Sequence, residues 1–110
     1  MTQGLLTIKN REKVFIKIIV GCNGYNINLL KEAIIEKKLD NIEDIYNEAI
    51  ECDFGNEECL VVMDEKNIRF KGDAIIPSLY RETFNDEKFN PRWENGTADY
   101  VEFLFVDNKN

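Results

Sequence analysis

The alternation of apolar and polar residues predicts two strands at the start of the chain. The segments "LLTIK" (Leu5–Lys9) and "KVFIKIIV" (Lys13–Val20) are rich in β-branched residues and flank the polar stretch "NREK", which is typical of a hairpin loop. Apolar side chains occur at both odd and even positions of the second segment, so we expect this strand to be central in a sheet. Strict alternation divides its side chains between two faces, namely Val14, Ile16 and Ile18 against Phe15, Lys17 and Ile19.

The stretch "IIVGCNGYNINLL", Ile18–Leu30, leads from this strand through a Gly/Asn-rich turn. Helical spacing of apolar residues from Leu30 to Lys37 favours a strand–turn–helix, although the dipeptide Asn23-Gly24 is also the strongest signal for a tight hairpin. A glycine-rich turn before a helix is also where many α/β proteins hold a phosphate. Its glycines match neither a dinucleotide fingerprint nor a P-loop. We therefore favour a structural turn, and a ligand contact at Gly21–Tyr25 stays open.

The segment "NIEDIYNEAIE", Asn41–Glu51, has the clearest amphipathic helical pattern. Asn41 is placed to cap this helix, and two acidic residues follow in the first turn, where the helix dipole favours negative charge. The same periodicity places Glu48 and Glu51 on its outer face.

The C-terminal half contains strands and one ambiguous segment. In Glu57–Lys66 the adjacent valines favour a strand that ends in a turn at "DEKN", but the spacing of apolar residues also permits a short helix. A short strand is predicted at Ala74–Ile76, where Pro77 ends it. The clearest strand of the chain is "DYVEFLFVD", Asp99–Asp107, with strict alternation.

Between these strands lies a long segment without clear periodicity, Arg81–Ala98. Loops of this length in a small domain are usually functional or disordered, and this one is too aromatic for disorder. With 110 residues, 44% of them hydrophobic, the chain is predicted to be a single domain, 1–110. The elements together predict an α+β fold, with an antiparallel or mixed sheet of four or five strands and two or three helices on one face.

Charge and residue types narrow the range of functions. The net charge of −7 repels nucleic acids and anionic membranes and suits a partner protein with a basic surface. The absence of histidine removes the commonest general base. The three cysteines, Cys22, Cys52 and Cys59, have no metal-binding spacing and fit free thiols in a reducing cytoplasm. No cofactor motif is present, the N-terminus lacks a signal-peptide pattern, and we expect a cytoplasmic protein that is not an enzyme.

Aromatic and arginine residues of the long segment form the candidate binding site. Trp, Tyr and Arg are the residue types that most often anchor interfaces, and they also stack on bases and pair with phosphates. An alternative is that Phe84, Phe89 and Trp93 cover the core while the arginines pair with nearby acids. The candidate residues are Tyr80, Arg81, Arg92 and Trp93, together with Tyr25 from the turn.

The order of four short motifs resembles a group of small phage-encoded proteins. The motifs are "GLLTIK", "CNGY", "CLVVM" and "DYVEFLFVD", which are similar to that group's "GTRSTI"-like start, "DGY" turn, "CLAAQ"-like helix and "YVYEI"-like last strand. The chain departs from the group at Leu5, Leu6 and Asn23 and in the additional segment Arg81–Ala98. The resemblance implies an α+β fold, a helix at Glu57–Lys66 and a viral origin, and it carries over no catalytic residue.

Two functional hypotheses follow. The first is a phage-type accessory protein in the host cytoplasm that binds and inhibits a host protein, such as a defence component. Acidic Glu43, Glu48 and Glu51 or the Trp93 loop would then meet a basic surface. The second is a small-ligand binder that sequesters a nucleotide-like signal through an aromatic/Arg pocket, for which a homo-oligomer with shared pockets is suitable.

Overall fold

A five-stranded mixed sheet is the centre of the fold in the computed structural model, which describes residues 2–54, 59–72, 77–90 and 97–106. The order across the sheet is β4-β3-β2-β1-β5. Neighbouring strands pair antiparallel except for β1 and β5, which are parallel. The strands are β1 (Gly4–Asn10), β2 (Lys13–Val20), β3 (Leu60–Met63), β4 (Ile68–Lys71) and β5 (Tyr100–Val106). The α+β class and the central position of β2 are therefore confirmed.

Helices cover both faces of this sheet. A 3-10 turn (Gly24–Asn26) leads into α1 (Ile27–Lys37), and α2 (Ile42–Ala49) continues into a π-helical turn (Ile50–Phe54). Both α1 and α2 pack on one face, as expected, whereas α3 (Pro77–Glu82) lies against the opposite face.

The sheet therefore separates two apolar cores. The larger core joins even-numbered side chains of β1 and β2 to the buried sides of α1 and α2, and it includes Leu6, Ile18, Leu30 and Ile45. The smaller core joins odd-numbered side chains, including Leu5, Ile19 and Val61, to Tyr80 and Phe84. Successive side chains of a strand point to opposite faces, so a strand covered on both sides has apolar residues at both odd and even positions.

One β-bulge changes the expected faces of β2. Ile8 of β1 pairs with Ile16, but the next residue, Lys9, pairs with Val14, so Phe15 is the extra residue. Phe15 consequently packs against the larger core together with Ile16, and Val14 packs against the smaller one. The prediction that Val14 shares a face with Ile16 is wrong because a bulge interrupts the two-residue period.

The structure decides between the alternatives that the sequence left open. After β2 the chain forms a turn and then a helix, which confirms the strand–turn–helix prediction. Within Glu57–Lys66 the described residues form β3, followed by the predicted turn, in which the Asp64 N–H donates to the Asn67 carbonyl at 2.9 Å. The helix implied there by the resemblance is wrong, because pairing with β2 on one side and β4 on the other fixes β3 as a strand. The predicted strand Ala74–Ile76 lies outside the described residues.

The second helix matches its prediction except at one side chain. The Asn41 side chain accepts a hydrogen bond from the Asp44 N–H at 2.9 Å, which confirms the cap. Glu48, however, is buried rather than on the outer face. Its carboxylate accepts a 2.6 Å hydrogen bond from Lys37 of α1, so contact between the two helices covers it.

Candidate functional site

The structure places Tyr80 and Arg81, two of the five candidate residues, in internal contacts. Tyr80 is buried in the smaller core, with its hydroxyl oxygen 3.6 Å from the Cys59 sulfur. The Arg81 guanidinium donates from both terminal nitrogens to the backbone carbonyls of Asp64 and Glu65. These hydrogen bonds connect α3 to the β3–β4 turn. Arg81 thus has an internal partner, as the structural alternative expected, but it pairs with backbone carbonyls rather than with acidic side chains.

Tyr25, the third candidate that the structure describes, lies away from Arg81. Tyr25 is half-exposed in the 3-10 turn after β2. This turn lies near the start of β3, because the Gly21 N–H donates to the Cys59 carbonyl. Arg81 binds the turn that follows the last residue of β3. The length of the strand places this turn about 15 Å from Cys59. Arg92 and Trp93 lie outside the described residues, so the aromatic/Arg pocket stays a prediction.

A buried lysine underlies the segment that follows α3. The Lys17 ammonium group on β2 donates to the carbonyl oxygens of Thr83 and Asp86, at 2.6 Å each. Beside it on β1, the Thr7 hydroxyl donates to the Glu87 carbonyl at 2.9 Å. Burial lowers the Lys17 pKa to about 8, against the opposing effect of the Asp86 carboxylate. All of these acceptors are backbone carbonyls, so the arrangement positions a segment of chain and presents no reactive group to solvent.

A second polar cluster joins α1 to the end of α2. The Glu48 carboxylate accepts hydrogen bonds from the Lys37 ammonium group at 2.6 Å and from the Cys52 thiol at 3.4 Å. The bond from Lys37 lowers the pKa of Glu48, and the same bond raises that of Lys37. Burial raises the pKa of the Cys52 thiol, and the neighbouring carboxylate raises it further. The thiol is thereby held protonated, which is the opposite of what a nucleophilic cysteine needs.

An apolar groove lies between α1 and the end of β5. It has a cavity volume of about 670 Å³. We call it the α1–β5 groove. Its apolar lining is Ile8, Phe15, Ile34, Ile35, Leu39, Leu104, Phe105 and Val106, and its charged lining is Lys38 and Asp40.

Two elements position the rim of this groove. Lys31 on α1 forms an ion pair of 3.7 Å with Glu102 on β5, so this side of the helix faces the strand. Ile35, one turn further along the same side, is 54% exposed. The sequence did not predict this groove, because the groove joins segments about 70 residues apart. The local sign of it in the sequence is the unusually apolar strand "YVEFLFV".

The chemistry of the groove suits binding rather than catalysis. Its two charged residues, Lys38 and Asp40, flank an apolar floor, whereas acid–base chemistry needs polar groups that converge on one reacting atom. In the part of the chain that the structure describes, no group of side chains is arranged to hold a metal ion. In that same part, no helix is long and apolar enough to cross a membrane.

Comparison of the chain with protein-family models, curated proteins and solved structures gives no match. The α1–β5 groove and its surroundings are therefore the features of the molecule that indicate a function.

Proposed function

We propose that this protein is a non-enzymatic accessory protein that binds and inhibits another protein by accepting an apolar side chain in the α1–β5 groove. The observation that carries the proposal is Ile35, an apolar side chain more than half exposed at the rim of a recess whose lining is mainly apolar. Apolar groups exposed together around a recess are typical of interaction sites, because their burial against a partner is favourable.

Charge defines the second feature of the partner. A chain with net charge −7 attracts a protein whose apolar anchor is surrounded by basic residues, and it repels nucleic acids. Of the acids that the sequence suggests for this contact, Glu48 is buried with Lys37, and Glu43 pairs with Arg69 at 3.0 Å. The preference for a basic partner therefore derives from the overall charge. The phage origin comes from the motif resemblance, and both this origin and a host defence component as the target are part of the proposal.

Two variants of one helix test the role of the groove. Ile35→Asp places a charge at the groove rim, whereas Leu29→Asp makes the same change at a comparably exposed residue about 120° away around α1. Tagged wild-type protein and both variants are expressed in the candidate host, and their complexes are measured by native mass spectrometry. We expect one partner, bound in a fixed ratio by the wild type and Leu29→Asp and lost in Ile35→Asp, together with loss of the biological effect. Equal binding and effect for all three proteins would contradict the proposal.

A further inference from the structure

The two edges of the sheet differ in length and in charge. The β4 edge has four residues, of which Arg69 and Lys71 are basic, and such charges protect an edge against pairing with another chain. The β5 edge has seven residues with one charged side chain, Glu102, which already pairs with Lys31 of the same chain. Among the residues that the structure describes, no strand pairs with the outer side of β5. As far as the described residues go, this edge therefore lacks the usual protection.

The direction of the free backbone groups on β5 is fixed by one hydrogen bond. The Tyr100 N–H donates to the Gln3 carbonyl at 3.0 Å, on the side of β1. Because successive residues of a strand direct their N–H and C=O groups to alternate sides, those of Val101, Phe103 and Phe105 point away from β1. These three residues carry the groups available for a further strand.

We infer that two copies of this chain pair antiparallel through β5 to form a continuous ten-stranded sheet, in which the partner subunit's Tyr100 completes the α1–β5 groove. Full overlap of a seven-residue strand with itself places its central residue, Phe103, on the two-fold axis. In this register outward-pointing residues oppose one another, so Phe103 opposes its own copy and Val101 opposes the partner subunit's Phe105. The hydrogen-bonding pattern of an antiparallel pair is thus satisfied.

The same register extends the groove. Val106 lines the groove, and full overlap sets it opposite the partner subunit's Tyr100. Directly opposed side chains of antiparallel strands lie on the same face about 5 Å apart. In the isolated chain Tyr100 is 45% exposed. Each groove would thereby gain an aromatic wall from the other copy. This step rests on the proposed binding function of the groove.

The side chains of the β5 edge suit pairing with a second copy of the same edge. The self-pairing sets apolar side chains against apolar ones at every position except Glu102, which opposes the partner subunit's Leu104. The charge of Glu102 is balanced by Lys31 within its own chain, so the pairing buries no uncompensated charge. A two-fold contact of this kind is isologous and closes after two copies, because each β5 has only one free side.

The first test is the mass of the purified chain in solution. Sedimentation equilibrium of the wild type at micromolar concentrations should give twice the chain mass of 12.9 kDa. Phe105→Lys puts a charge on the β5 edge and should give the single-chain mass. The matched control, Phe70→Lys, changes a 40% exposed phenylalanine on the β4 edge and should remain a dimer. A single-chain mass for the wild type, or dissociation by Phe70→Lys but not Phe105→Lys, would overturn the inference.

Amide hydrogen exchange separates the pairing from any general loss of folding. The N–H groups of Phe103 and Phe105 should be protected in the dimer and exchange quickly after dilution or in Phe105→Lys, while those of Glu102 and Leu104, which face β1, stay protected. Fast exchange at Phe103 in concentrated wild type would also overturn the inference. The measurement needs no partner protein, so failure of the dimer is distinguishable from failure of the proposed function, which Ile35→Asp tests.

Discussion

The ammonium group of Lys17, at the centre of the sheet, donates a 2.6 Å hydrogen bond to the carbonyl oxygen of Thr83, 66 residues later in the chain. A second bond of 2.6 Å reaches the carbonyl of Asp86. A buried cation thus occupies a position where a central strand usually has an apolar residue. It is tolerated because backbone carbonyls replace the water that the ammonium group loses.

The first prediction concerns the replacement of this lysine by an apolar residue of similar length. Lys17→Met leaves the Thr83 and Asp86 carbonyls without their hydrogen-bond donor, and we expect the free energy of unfolding to fall by about 2 kcal/mol. Urea denaturation followed by circular dichroism measures the change. The matched control is Lys13→Met, at the exposed start of the same strand, with a change below about 0.5 kcal/mol. Equal stability of the two variants would argue against the structural role of Lys17.

The pKa of Lys17 predicts a dependence of stability on pH. Burial lowers this pKa from 10.5 to about 8. Between these values the unfolded chain binds more protons than the folded one, so the contribution of Lys17 to stability rises with pH across this window. The unfolding free energy of the wild type relative to Lys17→Met should therefore increase by roughly 2–3 kcal/mol from about pH 7.5 to about pH 10.5. Urea titrations at intermediate pH values measure the difference, and a constant or falling difference contradicts the assignment.

Arg81 is predicted to stabilise the turn between β3 and β4. Its two terminal nitrogens bind the Asp64 and Glu65 carbonyls, and a lysine cannot reproduce this forked geometry. We expect Arg81→Lys to lower the free energy of unfolding by about 1–2 kcal/mol and to speed amide exchange at Asn67. The exposed Arg11→Lys is the control and should have no measurable effect. If Arg81→Lys leaves stability and exchange unchanged, the guanidinium group is not needed for the turn.

Gly24 is predicted to be required by close packing of two backbone segments. A Cβ atom at this position would lie 2.3 Å from the Gln3 carbonyl carbon and 2.4 Å from the Gly4 nitrogen. Because both contacts are backbone atoms, Gly24→Ala should destabilise the fold by about 2–3 kcal/mol. Thermal unfolding measures this, with Tyr25→Ala at the exposed neighbour as a control that costs less than about 1 kcal/mol. A stable Gly24→Ala variant would show that this approach can relax.

Cys52 is predicted to react slowly with alkylating reagents until its carboxylate neighbour is removed. The raised pKa of its thiol has burial as its main cause and the hydrogen bond to Glu48 as the next. Glu48→Gln removes the negative charge, so the thiolate fraction and the rate of alkylation by iodoacetamide should increase at mildly alkaline pH. Mass spectrometry of the peptide that contains Cys52 measures the rate, with Glu32→Gln on the exposed side of α1 as the control. An unchanged or slower rate after Glu48→Gln would contradict this account.

The sequence by itself determined those elements whose pattern is local. The alternation in Lys13–Val20, the amphipathic period of Asn41–Glu51 with its cap, and the alternation in Asp99–Asp107 each depend on neighbours within a few residues. These elements are confirmed because the periods of strand and helix leave a direct trace in the order of apolar side chains. The central position of β2 could also be predicted from local sequence, because apolar residues occur on both of its faces.

Only the tertiary structure decided the features that depend on distant partners. Pairing with β2 and β4 makes β3 a strand, and the bulge at Phe15 exchanges the faces of two residues. Arg81 and Glu48 looked like surface groups in the sequence, but α3 brings the first to a turn 16 residues earlier and α1 covers the second. The groove between α1 and β5 likewise arises because the last strand returns beside the first. Such contacts are set by how all the apolar faces pack together, and no short stretch of sequence records that arrangement.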